Sequence, residues 1–352
     1  MSNMTRRGLS LIALAAALAP VAVVAQEKPM AIDEGLFVDI NGMPQWVTLR
    51  GADLANPVML LLHGGPGFPM SSWAPVFADW EKRFTLVQWD QPAGGATFAK
   101  NQGRDQGPLT LERFVKDGFA VVDYIRSRLG ARKIVLMGVS WGAELGVVMA
   151  HQRPELFSCY VGLSQPISAP RGALIGYQMA LKAAQDRGDA KAVAELTRVG
   201  PPPYKTFEDF LVRQQYTNPP GLPPSPAEMA VGGDFIRAIT SPPPPGANYV
   251  PKGVAPADFM KVFMDTQRAV YAPMAQWDIA SLGREFALPI VLIEGELDLN
   301  TPTALARAWL DQIHAPAKVF EVIAGASHGP LAFHAEILRL LERDVLPLAR
   351  QS

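Results

Sequence analysis

The chain has 352 residues, of which 49% are hydrophobic, and its 32 basic and 33 acidic side chains give a formal net charge of -1 at pH 7. This balance excludes the strongly basic surface by which proteins bind nucleic acid or anionic membranes. Cys159 is the single cysteine, which excludes an internal disulfide and a cysteine-rich metal site. An apolar core must therefore supply the stability of the fold.

The first 25 residues have the layout of a secretory signal peptide. Arg6 and Arg7 precede an apolar run over residues 9–24, and small residues close that run. A positive start, an apolar core and a small-residue cleavage site are typical of exported precursors. We therefore expect a signal peptide over residues 1–25, a mature chain from Gln26 in the periplasm or outside the cell, and no membrane association after cleavage. An uncleaved anchor is the alternative, and the arginine pair fits twin-arginine export as well as the general secretory route.

Residues 35–163 alternate short apolar runs with helical patterns. The turn Asn41-Gly42 between two apolar runs predicts a β-hairpin, and the continuous apolar run Val58–Leu62 predicts a strand covered on both faces. Further strands are predicted at 84–89, 134–137 and 159–163, and helices at 111–129, between Thr110 and Gly130, and at 141–152. Strands and helices that alternate in this way imply a mostly parallel sheet with right-handed crossovers.

The pattern changes between residues 165 and 275. Proline runs at 201–203, 219–224 and 242–245 interrupt helical segments such as 177–199, and no buried strand is predicted. Strands at 288–293 and 318–323 and helices at 303–313 and from 331 onward then restore the α/β order. We expect a doubly wound α/β core of residues 26–164 and 276–352, with a helical, proline-rich cap at 165–275. An independent linker domain is the alternative, but it would leave the later strands without partners.

Residues 138–142 have the sequence GVSWG and lie between a predicted strand and a predicted helix. A strand, a sharp turn and a helix form the nucleophile elbow of serine hydrolases. The turn is so tight that the residues two before and two after Ser140 must be small, and both are glycine. The amino terminus of the following helix would face the negative charge that develops during attack. Ser140 is therefore the candidate nucleophile.

Residues 63–67 have the sequence HGGPG and directly follow the buried strand Val58–Leu62. Glycines let the backbone approach a substrate carbonyl and direct N–H groups at it. Proline has no N–H, so we choose Gly65 as one donor of an oxyanion hole and the backbone N–H of Trp141, the residue after the nucleophile, as the other. In isolation the run would be an ordinary glycine turn.

A serine hydroxyl needs a base within hydrogen-bond reach, and the expected chain order is serine, acid, histidine. Asp298 and His328 follow the strands predicted at 288–293 and 318–323, so both fall at the carboxyl edge of the sheet together with Ser140. We take His328 as the general base and Asp298 as the acid, with Glu296 as the rival acid. The remaining histidines are assigned to the oxyanion loop or to helices: His63, His151, His314 and His334.

These residues together resemble the prolyl iminopeptidase branch of the α/β-hydrolases. The stretches that match are residues 63–67, 89–91, 138–142, 295–298 with 301–302, and 325–328. The resemblance runs along nearly the whole mature chain but is thin in the cap. It implies a helical cap over the site, a Ser-His-Asp triad, no metal or organic cofactor, and removal of an N-terminal residue, typically proline, from short peptides.

The chain departs from that family at two places. The family's Asp-Gln-Arg-Gly run reads DQPA at residues 90–93, and the glutamates that neutralise the substrate's amine in a tryptophan-rich context are missing from the cap. The cap has other acidic residues: Glu208, Asp209, Glu228 and Asp234. Of the cap and oxyanion-loop residues, we take Gly64, Glu208 and Asp209 as the candidate substrate-binding residues.

We therefore expect a serine hydrolase that forms an acyl-enzyme, an aminopeptidase of the prolyl iminopeptidase type acting on short peptides. A carboxylesterase or lactonase for small apolar acyl substrates is the alternative. A third hypothesis is a member of the fold that binds a ligand without catalysis, although such a protein has no need of an intact elbow and base.

Overall fold

The computed structural model describes residues 31–217, 224–255 and 257–351. The signal peptide expected over residues 1–25 lies outside the described residues. The strands form one sheet of eight in the order β1-β2-β4-β3-β5-β6-β7-β8. Their bounds are β1 Ile32–Ile40, β2 Met43–Gly51, β3 Val58–Leu62, β4 Thr85–Trp89, β5 Ile134–Val139, β6 Phe157–Leu163, β7 Ile290–Gly295 and β8 Lys318–Ile323.

The α-helices alternate with these strands and also fill the interval between β6 and β7. Their bounds are α1 Gly95–Lys100, α2 Leu111–Leu129, α3 Trp141–Gln152, α4 Ala169–Asp186, α5 Ala190–Val199, α6 Phe207–Thr217, α7 Pro226–Thr240, α8 Phe259–Met274, α9 Thr303–Gln312, α10 His334–Leu340 and α11 Leu346–Arg350. Within the described residues, no helix has the length and apolar character that crossing a bilayer requires.

The sheet is antiparallel at one edge and parallel elsewhere. β1 pairs with β2 and β2 with β4 in antiparallel register, and every other pairing is parallel. Asn41 and Gly42, which join β1 to β2, both have positive φ, 52° and 86°, as a type I′ hairpin turn requires. The predicted hairpin and the mostly parallel α/β sheet are confirmed.

Apolar clusters cover both faces of the sheet, which makes it doubly wound. Successive residues of β3 point to opposite faces, because a strand has a side-chain period of two. Leu60 and Leu62 join the cluster that α2, α3 and α9 cover, whereas Met59 and Leu61 join the cluster beneath α10 and α11. Each fully buried side chain of this size contributes about 1.5–3 kcal/mol, so this central strand is anchored from both sides.

Local signals set the helix bounds closely. The Thr110 hydroxyl accepts a hydrogen bond from the Arg113 N–H at 3.2 Å, and Gly130 ends α2 in the left-handed conformation with φ 67°, so the predicted helix 111–129 is confirmed. The helical segment predicted at 177–199 is divided instead. Gly188, with φ 68°, ends the first part, and Asp189 caps α5, so α4 and α5 are separate helices.

The five helices α4–α8, called the insert helices below, follow β6 and precede β7 in the chain. Between these two strands the described residues add no strand to the sheet, in agreement with the helical character predicted there. Three of these helices have their own small core, formed by Tyr177, Ala180, Leu196 and Tyr216 with their neighbours. The division of the chain into core and cap stays a prediction.

Candidate active site

Ser140 occupies a strained turn between β5 and α3. Its backbone has φ 52° and ψ -117°, a conformation that costs a non-glycine residue about 1–3 kcal/mol and is concentrated at functional sites. A Cβ at Gly138 would lie 2.1 Å from the Gly142 carbonyl oxygen, and a Cβ at Gly142 would lie 2.1 Å from that of Leu62. Both glycines are therefore required by the close backbone approach, as the sequence predicts.

The loops after β5, β7 and β8 bring Ser140, Asp298 and His328 together. The His328 Nε2 lies 3.0 Å from the Ser140 Oγ, and its Nδ1 lies 2.9 Å from the Asp298 Oδ2. When Nδ1–H donates to the carboxylate, the Nε2 lone pair is free to accept the serine hydroxyl. This arrangement can take a proton from Ser140 during nucleophilic attack.

Asp298 is held as a carboxylate by its hydrogen bonds. Its Oδ1 accepts the backbone N–H groups of Asn300 and Thr301, both at 2.8 Å, and its Oδ2 accepts the Thr301 hydroxyl at 2.7 Å. Burial alone would raise the pKa of Asp298, but the charge and hydrogen bond of His328 and the hydrogen bonds of Thr301 outweigh burial and leave that pKa below its ordinary value. Asp298 is therefore ionised at neutral pH and can stabilise a protonated His328.

The two other carboxylates near Asp298 have different environments. The Glu296 Oε2 accepts the Gly325 N–H at 2.8 Å, so Glu296 holds the loop before His328 and does not contact the imidazole. Glu294 is buried at the end of β7, where desolvation and the charge of Asp298 raise its pKa well above the ordinary value. Of these carboxylates, it is Asp298 that meets His328.

His63 is a buried, neutral part of the loop after β3. Its Nδ1 donates to the Gly64 carbonyl at 2.8 Å, and its Nε2 accepts the Gln91 N–H at 3.1 Å. Burial lowers the pKa of His63 to about 4, so the ring carries no charge at neutral pH. These contacts agree with the structural role predicted for it.

Gln91 joins this loop to the elbow, a contact that sequence reasoning missed. Its Nε2 donates to the His63 carbonyl at 3.2 Å, and its Oε1 accepts the indole N–H of Trp141 at 2.9 Å. Gln91 thus fixes both segments that carry the predicted oxyanion donors. The run at residues 89–91 was the signal, since it matched a family motif without an assigned task.

The backbone of the HGGPG loop lies directly against the elbow. A Cβ at Gly64 would lie 3.2 Å from the Val139 carbonyl oxygen and 3.6 Å from the Ser140 Cβ. Gly65 has φ 112°, which favours glycine because L side chains rarely adopt it. The N–H groups of Gly65 and Trp141 therefore belong to adjoining segments, each one residue from this contact.

The acidic residues that we predicted to bind substrate form ion pairs in the insert helices. Glu208 is exposed, and its carboxylate lies 2.6 Å from the Arg268 guanidinium. Asp209 lies 3.6 Å from the Arg198 guanidinium and accepts the Thr206 hydroxyl at 2.9 Å. Both carboxylates thus already have partners, and their binding of substrate stays a prediction.

Glu228, at the start of α7, contacts the loop that carries His328. Its Oε1 accepts the Ser327 N–H at 2.9 Å and the Ser327 hydroxyl at 2.5 Å, and its Oε2 accepts the Ser225 N–H at 2.9 Å. The Ser225 hydroxyl donates to the Gly325 carbonyl at 2.5 Å. Ser225 and Glu228 form a capping box at the start of α7, and the same carboxylate binds the histidine loop.

A protein-family model described as the alpha/beta hydrolase fold matches residues 57–215. This stretch includes the HGGPG loop and the elbow. The sheet continues beyond it, with β1 and β2 before the matched residues and β7 and β8 after them. The chain has the α/β-hydrolase fold. The Asp298 and His328 loops lie beyond the matched stretch, at the strand ends where this fold places an acid and a base.

Relatives of the α/β-hydrolase fold confirm the resemblance to the prolyl iminopeptidase branch. The Bacillus subtilis protein named "Probable aminopeptidase YbaC" is 25% identical, over 88% of this chain and 94% of its own length. Proline iminopeptidase of Lactobacillus delbrueckii subsp. lactis is 23% identical, over 77% and 84%. The solved structure of a proline iminopeptidase-related protein from Thermus thermophilus superposes with a TM-score of 0.61 at 17% identity, covering 90% of this chain and 99% of that one. The similarities support a hydrolase.

Proposed function

We propose that the protein is a serine hydrolase that forms an acyl-enzyme on Ser140. The observation that carries the proposal is the hydrogen-bonded line from Ser140 through His328 to the buried Asp298, with distances of 3.0 and 2.9 Å. The strained backbone of Ser140 supports it, since a strained serine at a strand-to-helix turn is typical of nucleophiles. No cofactor is needed for this chemistry.

The reaction follows from these contacts. His328 takes the hydroxyl proton as the Ser140 Oγ attacks an ester or amide carbonyl, and Asp298 fixes the imidazole tautomer. The N–H groups of Gly65 and Trp141 hold the oxyanion, and loss of one such donor typically raises the barrier by about 2.7–4 kcal/mol. His328 then protonates the leaving group, and water, deprotonated by the same base, hydrolyses the acyl-enzyme.

The substrate class that the motifs support is a short peptide from which an N-terminal residue, typically proline, is removed. The support is the family resemblance together with the named aminopeptidase and iminopeptidase relatives. In this proposal the insert helices form the cap that selects the substrate, with Gly64 of the oxyanion loop beside it. The protein acts in the periplasm or outside the cell as a mature chain from Gln26.

A carboxylesterase or lactonase for small apolar acyl groups is the second candidate. The ion pairs of Glu208 with Arg268 and of Asp209 with Arg198 favour it, because carboxylates that already neutralise an arginine are poor partners for a substrate amine. An ester substrate needs no such partner.

Hydrolysis assays of the chain from Gln26 onward, with Ser140→Ala as control, test both candidates. The panel pairs prolyl and alanyl anilides with short-chain nitrophenyl esters. Serine-dependent cleavage of prolyl anilide far above that of the esters supports the aminopeptidase, and ester cleavage alone moves the assignment to the esterase. A wild-type rate equal to that of Ser140→Ala on every substrate, together with no labelling by a fluorophosphonate probe, would refute the serine hydrolase.

A further inference from the structure

Arg213, on α6, is a buried cation with an unused hydrogen-bond donor. It is 3% exposed, and its Nη1 donates to two neutral oxygens, Gln214 Oε1 at 2.6 Å and Asn300 Oδ1 at 2.8 Å. Its Nε has no hydrogen-bond partner in the part of the chain that the structure describes. Buried arginines are almost always paired, since an uncompensated buried charge costs several kcal/mol.

The negative charge of Asp298 acts on Arg213 only through space. The field of Asp298 favours the charged guanidinium, but the Asp298 oxygens accept from Asn300, Thr301 and His328. No ion pair joins the two side chains among the described residues. Burial lowers the pKa of Arg213, yet guanidinium groups stay charged in proteins. The acid of the triad therefore leaves the donor on Nε unused.

Tyr204, just before α6, is a second unsatisfied donor. Its hydroxyl is buried and has no hydrogen-bond partner among the described residues, and burial raises the pKa of Tyr204 to about 12. The hydroxyl therefore keeps its proton at neutral pH. Tyr204 lies three residues before α6, and Arg213 lies on that helix. Two buried donors without partners among the described residues thus lie in one short region of the chain, residues 204–213.

This region adjoins the reaction centre. Arg213 Nη1 contacts Asn300 Oδ1, the Asn300 Nδ2 lies 3.2 Å from the His328 Nε2, and that nitrogen lies 3.0 Å from the Ser140 Oγ. A single side chain, Asn300, therefore separates the guanidinium from the base. Three contacts in series therefore link the guanidinium to the Ser140 hydroxyl.

We propose that Arg213 and Tyr204 form an anion subsite that binds a carboxylate group of the substrate. A guanidinium fork matches a carboxylate in geometry and charge, and the tyrosine hydroxyl can donate to the same group. The inference rests on the hydrolase activity proposed above and names its substrate class as dipeptides. In a dipeptide the leaving residue carries a free carboxylate beside the scissile bond, whereas a longer peptide has a neutral amide there.

The test compares prolyl-alanine with prolyl-alaninamide, which differ only in this carboxylate. Arg213→Met removes the guanidinium and keeps an unbranched apolar stem, Tyr204→Phe removes only the hydroxyl, and Arg237→Met, at an exposed arginine on α7, is the matched control. Loss of one partner of a buried charge pair costs at least about 2 kcal/mol, or roughly 30-fold. We expect Arg213→Met to lower kcat/KM for prolyl-alanine at least 30-fold more than for prolyl-alaninamide, and Arg237→Met to change the ratio little.

Calorimetric binding of both dipeptides to Ser140→Ala separates this inference from the proposed function. Tighter binding of prolyl-alanine that Arg213→Met abolishes, without turnover of any substrate and without fluorophosphonate labelling of the wild type, supports the subsite and refutes the hydrolase proposal. Equal losses on both substrates would overturn the subsite and leave Arg213 only its observed hydrogen bond to Asn300. If Arg213→Met does not fold, Tyr204→Phe decides, since the subsite requires a selective loss on prolyl-alanine and an unchanged ratio overturns it.

Discussion

Replacement of Glu228 by glutamine tests whether α7 holds the loop of the general base in place. The carboxylate accepts three hydrogen bonds, two from Ser327 and one from the backbone of Ser225. An amide has one oxygen in place of two. Whichever way it is oriented, its NH₂ group faces an N–H donor on one side, so at least one backbone donor loses its acceptor.

The magnitude follows from the charge on the acceptor. A hydrogen bond to a charged group contributes about 1.5–3 kcal/mol, and 1.36 kcal/mol corresponds to a factor of ten. If the whole loss displaces the His328 loop, the population with an assembled triad falls by roughly 10- to 150-fold. We therefore expect Glu228→Gln to lower kcat by about tenfold or more, with a smaller change in KM, because the loop positions the base and does not itself bind the substrate.

The assay is the rate at which a fluorophosphonate probe labels Ser140, together with kcat and KM for the best substrate. Asp234→Asn is the matched control, since it removes the same charge from an exposed position on the same helix, where the ion pair seen among the described residues is with Arg237. Equal labelling rates and equal kcat for the two variants would refute the reasoning. If Glu228→Gln lowers the free energy of unfolding measured in urea but has the same kcat as Asp234→Asn, Glu228 acts as a helix cap alone.

Three further predictions concern single positions. Asp298→Asn should lower kcat roughly 10⁴-fold at a nearly constant KM, because an amide favours the wrong imidazole tautomer; steady-state hydrolysis measures it. Burial raises the pKa of Glu144 from 4.5 to about 8, so between these pH values the folded chain holds a proton that the unfolded chain has released. The free energy of unfolding therefore falls as pH rises, by about 5 kcal/mol in total. Glu144→Gln should abolish this decrease, which urea unfolding at pH 5 and at pH 8 measures. Gly142→Ala should prevent the elbow from forming, because its Cβ would lie 2.1 Å from a backbone oxygen. Thermal unfolding should therefore show a large loss of stability.

An Asp298→Asn protein with near wild-type kcat would remove aspartate from the mechanism. If the free energy of unfolding depends on pH equally in the wild type and in Glu144→Gln, the carboxyl group of Glu144 is hydrated in the folded chain. For the elbow, Gly232→Ala on α7 is the control, since nothing lies within 4 Å of its Cβ. That variant should gain about 0.4–1 kcal/mol, and a similar gain in Gly142→Ala would refute the steric argument.

The sequence was most informative where the signal is local. Thr110 and Gly130 bound α2 at the predicted residues, and the Asn41-Gly42 turn placed the hairpin, because caps and turns depend on adjacent side chains. The glycines around Ser140 were predictable for the same reason. The pairing of β2 with β4 across intervening residues depends on long-range contacts that no local pattern encodes, and so did not follow from the sequence.

The partners of the polar side chains were the harder part. Glu228 stood in the sequence only as one of several acidic cap residues, yet it binds Ser327, which is 99 residues away in the chain. Arg213 gave no signal at all, because an arginine on an amphipathic helix is usually a solvated surface charge. Burial and partner are properties of the packed helices, so they appear only in the structure.

These contacts indicate that the insert helices help to hold the loops of the proposed active site. Gln267, on α8, donates to the Pro66 carbonyl of the oxyanion loop at 2.8 Å. Arg213, on α6, donates to Asn300 beside the acid, and Glu228, on α7, accepts from Ser327 beside the base. Each of these three helices thus holds one of the three loops that surround Ser140.

The contacts between the insert helices and these loops affect specificity. If the scaffold were rigid, the cap alone would select the substrate, and substitutions in the cap would alter KM while the triad kept its geometry. Here a substitution that shifts α6, α7 or α8 also shifts a loop that carries the acid, the base or an oxyanion donor, and misplacement by about 1 Å can cost 10²-fold in rate. Substitutions at these three contacts should therefore change kcat, whereas substitutions elsewhere on the same helices should change KM.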